Sequence, residues 1–134
     1  MSRAVWVFDL DGCLLDSLTG TSLRPGTPAL LTSLRERDCR VLLWSAGGAV
    51  YARQRAEEQG VADLFDGFYD KEERDGAGRY VPTFLSDVSS AVFVDDRPED
   101  MPVGADVLAV SPYIASNPHD RALEPVAGRL SEST

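Results

Sequence analysis

Val7 to Ser17 reads VFDLDGCLLDS, and the fold turns on how that stretch is read. An apolar run, Ala4 to Phe8, meets a glycine turn at Gly12, and Asp9 and Asp11 stand two residues apart at the junction. Side chains of a strand alternate with a period of two, so a strand over Val5–Asp9 sends both carboxylates to one side at its carboxyl end. Two unit charges about 4 Å apart repel by roughly 4 kcal/mol at an effective dielectric of 20. A chain that keeps such a pair supplies a cation or a proton between them. Aspartate and glycine also make plain solvated turns. A second apolar run, Ala91 to Val94, again ends in acid at Asp95 and Asp96, and that repetition favours a site over a turn.

Working outward, short apolar runs alternate with helix-like stretches, the pattern of a parallel sheet covered on both faces. Strands are expected at Val5–Asp9, Val41–Ser45, Ala91–Asp95 and Val107–Val110, with a short extra one at Gly67–Tyr69. A first helix is expected from Thr27 as N-cap with Pro28 at its first position, Leu30, Leu31 and Leu34 forming the inner face. A second should run from Ala49 to Gln59 and stop at Gly60. Val81–Asp87 is expected to add a turn or two of helix, and Asp120–Leu130 a last helix before a frayed tail over 130–134. The polar loop Lys71–Gly78 should be exposed. The expected architecture is therefore an α/β, Rossmann-like parallel sheet sandwiched by helices, one domain over 1–134.

Composition narrows the function. A hydrophobic share of 43% is ordinary for a globular chain. A net charge of −9 argues against non-specific nucleic-acid binding and against anionic membranes, both of which need a basic surface. An anionic substrate stays compatible, because one metal ion in a cleft reverses the local field. No apolar run nears the ~20 residues of a membrane span, and the N-terminus lacks the pattern of a signal peptide. Two cysteines without metal-ligand spacing, Cys13 and Cys39, fit a reduced, cytoplasmic protein. Cys13 is expected as a small packed side chain, since the lone histidine, His119, is far away in sequence.

Ligands of such sheets bind beyond the carboxyl ends of the strands, where Asp9, Ser45 and the Asp95-Asp96 pair all fall. Ser45 opens SAGGA, which leads into a helix. Its hydroxyl and the following backbone N–H groups, Ala46 among them, offer an anion cradle at the positive end of the helix dipole. An ordinary N-cap serine would read the same way. Four carboxylates at one edge suit a hard cation with oxygen ligands, Mg²⁺ foremost. Asp100 could support the site from behind or simply charge a helix start. Lys71 is the only lysine among 13 basic residues, and a compact ammonium can reach a carboxylate and a phosphate oxygen together.

FDLDG, then Ser45 after an apolar strand, then a lysine, then VDD: this ordered set resembles the haloacid dehalogenase (HAD) superfamily of phosphohydrolases over Val5 to about Val110. LRPGTPALLTSLRERDCRVLLWSAG also resembles that family's passage from first helix to second motif. The resemblance implies roles. Asp9 would be the nucleophile that becomes an aspartyl phosphate, and Asp11 the acid that protonates the leaving group and then activates water. Ser45 would bind the transferring phosphoryl group and Lys71 balance its charge. Asp96, supported by Asp95, would hold Mg²⁺ with the Asp9 side chain and the Asp11 backbone carbonyl. An acid at position 11 favours phosphate over halide, since a halide leaves without a proton.

Two departures stand out. The family's lysine often directly precedes a proline, where this chain reads Val81-Pro82, so Lys71 must serve from the preceding loop, with Arg79 next in line. The commoner threonine after the motif glycine is Cys13. Neither Gly12 to Arg24 nor the stretch after Ser45 has room for a cap domain, so an open site for a bulky phosphorylated substrate is expected. Capless relatives also gain a lid by oligomerising. The expectation is a Mg²⁺-dependent phosphatase. One alternative is a catalytically impaired binding module of the same fold. Another is a receiver-like phospho-acceptor domain, although receivers carry their adjacent acids on the first strand and here the pair comes late.

Overall fold

Five runs rich in branched and aromatic residues form the strands β1 (Val5–Phe8), β2 (Arg40–Ser45), β3 (Gly67–Asp70), β4 (Ala91–Asp95) and β5 (Asp106–Ala109). All four pairings are parallel, in the order β3-β2-β1-β4-β5. The computed structural model describes residues 4–132. β1 lies at the centre, with Phe8 in register with Leu43 and Val94, which explains its unbroken apolar sequence.

Handedness decides what covers each face. Three helices, α1 (Thr27–Glu36), α2 (Ala49–Glu58) and α3 (Glu124–Glu132), accompany the strands. From β1 the chain steps through α1 and α2 towards β3, then returns to β4 on the other side of β1. Right-handed crossovers in opposite directions lie on opposite faces. Trp6, Phe8, Val41 and Leu43 accordingly pack against Leu30, Leu31 and Leu34 of α1, Ala52 and Ala56 of α2, and Val126 and Leu130 of α3. Burying each of those leucines contributes roughly 2 kcal/mol relative to exposure. The opposite face (Val7, Leu42, Trp44 and Phe93) is covered by Tyr80, Phe84, Leu85 and Val88 from the β3–β4 connection and by Met101 from the β4–β5 connection, two connections whose only helix is in short 3-10 turns.

Several boundaries differ from expectation for identifiable reasons. Gly26, not Thr27, precedes α1, at φ 91, and Thr27 is inside the helix with its hydroxyl donating to the Arg24 carbonyl at 2.8 Å. Val81–Asp87 is a single turn closed by the Leu85 N–H on the Pro82 carbonyl, not helix. Its aromatic side chain is drawn onto the sheet instead, Phe84 stacking on Tyr69 at 4.2 Å and edge-on to Trp44 at 5.6 Å. α3 starts at Glu124 rather than Asp120, because Pro125 lacks an N–H and fits only a first turn. Of the expected frayed tail, Leu130, Ser131 and Glu132 belong to α3, and 133–134 lie outside the described residues.

One buried arginine fixes the motif loop to this frame. Arg24, wholly buried, donates to both Asp120 carboxylate oxygens at 2.8 and 3.1 Å and to the Cys13 carbonyl at 3.1 Å. Its guanidinium also lies 5.1 Å from the Tyr113 ring centroid. Asp120 is held below its ordinary carboxylate range by that arginine's hydrogen bonds.

Candidate active site

The order in which strands are added reverses between β1 and β4, and the crevice at such a switch point is where an open α/β sheet receives ligands. β1 delivers Asp9, whose N–H donates to the Val94 carbonyl at 3.1 Å, and β4 delivers Asp95 and Asp96 beside it. Carboxylate oxygens of Asp9, Asp95 and Asp96 lie within 4.8 Å of one another. Gly12, at φ 80, closes the turn, and a Cβ there would sit 2.9 Å from Asp96 Oδ2. A glycine is required twice over, by conformation and by the approach of that carboxylate.

Lys71 enters this cluster as a buried side chain, contrary to the exposure expected of its loop. Residues 72–78 are exposed, but Lys71 retains only 5% of its surface. Its backbone N–H donates to the Ser45 carbonyl at 2.9 Å, continuing the strand past Asp70 and turning the side chain inward. Nζ donates to Asp9 Oδ1 and Asp95 Oδ2, each at 3.0 Å. The ammonium also lies 5.1 Å from the Trp44 ring centroid and 5.4 Å from that of Tyr80.

The charge balance is unequal. Burial alone would lower the Lys71 pKa, but attraction from Asp9 and Asp95 outweighs it and holds the ammonium above its usual value. Burial and the neighbouring Asp95 push Asp9 well above the ordinary carboxylate range, despite the lysine. Asp95 is raised in the same way. One ammonium cannot neutralise three carboxylates. Asp95 has both oxygens engaged, by Lys71 and by the Arg97 N–H at 2.8 Å. Asp96 Oδ1 is buried with no hydrogen-bond partner, the only such side-chain atom among the described residues. An orphaned carboxylate oxygen beside two destabilised carboxylates, all hard donors, fits a divalent cation. The cluster can hold a metal ion.

Ser45, at the end of β2, is buried, and its Oγ accepts the Gly47 N–H at 3.1 Å. The cradle expected after it is narrower than its sequence implies. The Gly48 N–H donates to the Ser45 carbonyl and the Ala49 N–H to Asp70 Oδ1 at 2.6 Å, so both are spent within the fold. Ala46 lines the cavity with Asp9, Asp11, Lys71, Asp95 and Asp96. Asp11 Oδ1 accepts a hydrogen bond from the Tyr51 hydroxyl at 2.9 Å. Asp100 also lines the cavity, with Arg97 3.4 Å from its carboxylate. Arg79 is directed elsewhere, onto the Met101 carbonyl at 2.8 Å. Cys13 is fully buried, its thiol 3.6 Å from the Val94 carbonyl and pushed up by burial, which agrees with a packed, unreactive role.

The cavity measures about 350 Å³, and no cap domain stands over it among the described residues. Sequence reasoning missed Tyr51, Arg74, Trp44 and Tyr80. Arg74 lines the same cavity, 4.1 Å over the Tyr80 ring and donating to its hydroxyl at 2.7 Å. No charge pattern marks the three aromatic residues, since two rings and a helix-borne tyrosine read as core, and Arg74 reads as one more charge on an exposed loop.

The model of the family described as NLI interacting factor-like phosphatase matches residues 5–134. No curated protein matches the chain in sequence. Among solved structures, the core domain of a putative phosphoglycolate phosphatase from Streptococcus pneumoniae TIGR4 is similar at a TM-score of 0.61 and 15% identity. That likeness covers 100% of this chain and 98% of the other. A variant of the fission yeast RNA polymerase II CTD phosphatase Fcp1, bound to beryllium fluoride, is similar at 0.61 and 18% identity. There the match covers 98% of this chain and 50% of the other. At such identities the two structures speak to the fold alone, which is of the haloacid dehalogenase type.

Proposed function

This chain belongs to the NLI interacting factor-like phosphatase family, and from that premise we propose that it hydrolyses a phosphate monoester through a phosphoryl group carried on Asp9, with Mg²⁺ as its cation. The observation that carries this reading is the Lys71 ammonium bridging Asp9 and Asp95 beside the orphaned Asp96 oxygen. Lys71 was the weak point of the sequence pattern, and its burial among the carboxylates favours an enzyme over an impaired binding module.

Asp9, Asp96 and the Asp11 backbone carbonyl would hold the cation, with Asp95 steadying Lys71. When bound, the cation supplies charge that lowers repulsion between the carboxylate and an incoming phosphate. Asp9 attacks phosphorus, and the ester P–O bond breaks as Asp11 gives its proton to the departing oxygen. Ser45, Ala46 and Lys71 counter charge on the equatorial oxygens. A water then loses its proton to Asp11 and attacks phosphorus, which breaks the bond to Asp9 and releases inorganic phosphate. Lys71 keeps its proton throughout and acts as a fixed charge.

An open cavity suits a bulky substrate such as a phosphorylated protein segment. No helix among the described residues is long and apolar enough to cross a membrane. The buried thiol of Cys13 supports a reducing, cytoplasmic setting. A screen over p-nitrophenyl phosphate, sugar phosphates, nucleotides, phosphopeptides and 3′-phosphorylated oligonucleotides, with Mg²⁺ or with EDTA, tests the reading. Turnover that EDTA abolishes and Mg²⁺ restores is expected, with phosphopeptides above sugar phosphates. Turnover indifferent to EDTA would overturn the metal, and inactivity across the screen would overturn the reading.

A further inference from the structure

Among the described residues, Tyr51 is the one side chain outside the acidic motifs that bonds directly to the proposed acid. Its hydroxyl donates to Asp11 Oδ1 at 2.9 Å. The contact is built into the backbone of the turn that precedes it. A Cβ on Gly47 would lie 2.5 Å from Tyr51 Cδ2 and 2.9 Å from Cε2, so the ring rests where any other residue would place its side chain. Gly47 is not at a positive φ, and its lack of a side chain is explained by this ring rather than by the turn. From the far side, Arg55 places its guanidinium 5.3 Å from the Tyr51 ring centroid and is itself held by Glu58 at 2.9 Å. The Gly20 turn closes over the hydroxyl, where an added Cβ would stand 3.8 Å away. A phenol keeps its proton at neutral pH and so donates to the carboxylate.

We propose that Tyr51, wedged on Gly47, is the positioning residue that fixes the Asp11 carboxylate by one oxygen and presents the other to the leaving group. An aspartate on a turn otherwise rotates about two side-chain bonds, and a proton donor must meet the departing oxygen at hydrogen-bond distance. Tyr51 moves no proton itself. The inference rests on the acid role proposed above for Asp11.

The test compares kcat and KM on an alkyl phosphate and on p-nitrophenyl phosphate under saturating Mg²⁺. Wild type, Tyr51→Phe, Gly47→Ala, Asp11→Asn and the double variant Tyr51→Phe/Asp11→Asn are measured, each with its melting temperature. Tyr51→Phe should lower kcat on the alkyl ester about tenfold, change it less than about twofold on the aryl ester, and leave KM alone. Gly47→Ala should follow the same split, because its methyl displaces the ring. The double variant should be no slower than Asp11→Asn, the non-additivity expected of groups acting as a unit. Equal losses on both esters, or full additivity in the double variant, would overturn the inference. If Asp11→Asn shows the leaving-group dependence and Tyr51→Phe does not, the inference alone fails. If Asp11→Asn itself shows no such dependence, the acid assignment fails first.

Discussion

Replacing Lys71 with methionine should damage both stability and turnover. The substitution keeps a flexible chain of similar volume between Trp44 and Tyr80 and deletes the charge. Two hydrogen bonds of 3.0 Å disappear, and Asp9 and Asp95 are left facing each other and Asp96 without a cation. Removing one partner of a buried ion pair costs about 3–5 kcal/mol, and the lower end applies here because a raised carboxylate can relieve the strain by taking a proton. For a domain of this size, about 3 kcal/mol corresponds to a fall in melting temperature of roughly 10 °C. Lys71 has its folded pKa above its ordinary 10.5, so its contribution is present throughout neutral pH and is lost only as pH rises beyond that value. Turnover should fall by about 10²-fold or more, the scale of one preorganised charge contact. The assay is melting temperature by circular dichroism, without metal near pH 7, alongside p-nitrophenyl phosphate turnover with saturating Mg²⁺. A melting temperature within about 2 °C of wild type would refute the burial argument, since an exposed lysine is worth that little. Rates near wild type would remove Lys71 from the chemistry.

Other expectations are separately measurable. Asp11→Asn should slow alkyl phosphates far more than p-nitrophenyl phosphate, and an equal loss in steady-state kinetics would contradict the acid role. Arg24→Met should cost about 3 kcal/mol in urea unfolding, because it frees the Asp120 carboxylate and the Cys13 carbonyl together. Mg²⁺ should raise the melting temperature most near neutral pH. Asp9 and Asp95 have folded pKa values above 3.8, so without metal the folded state gains protons and stability as pH falls towards 3.8, and those protons compete with the cation. A metal-induced shift undiminished at about pH 5 would contradict this. Asp16, held down to about 2 by the Thr19 hydroxyl and the Ser22, Thr19 and Thr21 N–H groups, contributes stability above 3.8 that is lost as pH falls towards 2. Asp16→Ala should abolish that acid loss in a thermal scan against pH.

Strands and acids were legible in the sequence because the same physics writes both. A central parallel strand is buried on each face, so Val5–Phe8 and Ala91–Asp95 are nearly all apolar, and the first polar residues after them must point into the crevice. Lys71 lies against the acids at the strand ends, but its expected exposure was wrong. Its loop is polar from Glu72 onward, and nothing local records that its N–H completes a strand on Ser45. Nothing local distinguishes the expected helical turns at Val81–Asp87 from a loop, because the rings of Tyr80 and Phe84 pack against residues distant in sequence. Contacts with Trp44 and Tyr69 fix those rings, and that pull is long-range. Pro125 could have moved the start of the last helix without any structure. Tyr51 could not have been found, since its partner Asp11 is met only when α2 is folded against the motif loop.

The central claim is a phosphoryl group on Asp9. Acid quenching during turnover of an alkyl phosphate with Mg²⁺, followed by borohydride reduction and peptide mass spectrometry, converts an aspartyl phosphate into homoserine at the position that carried it. The account predicts homoserine at position 9 in wild type, none when Mg²⁺ is withheld, and none in Asp9→Asn, which should keep its fold and lose turnover. An active enzyme that yields no homoserine, or yields it at Asp11, Asp95 or Asp96, would contradict the account.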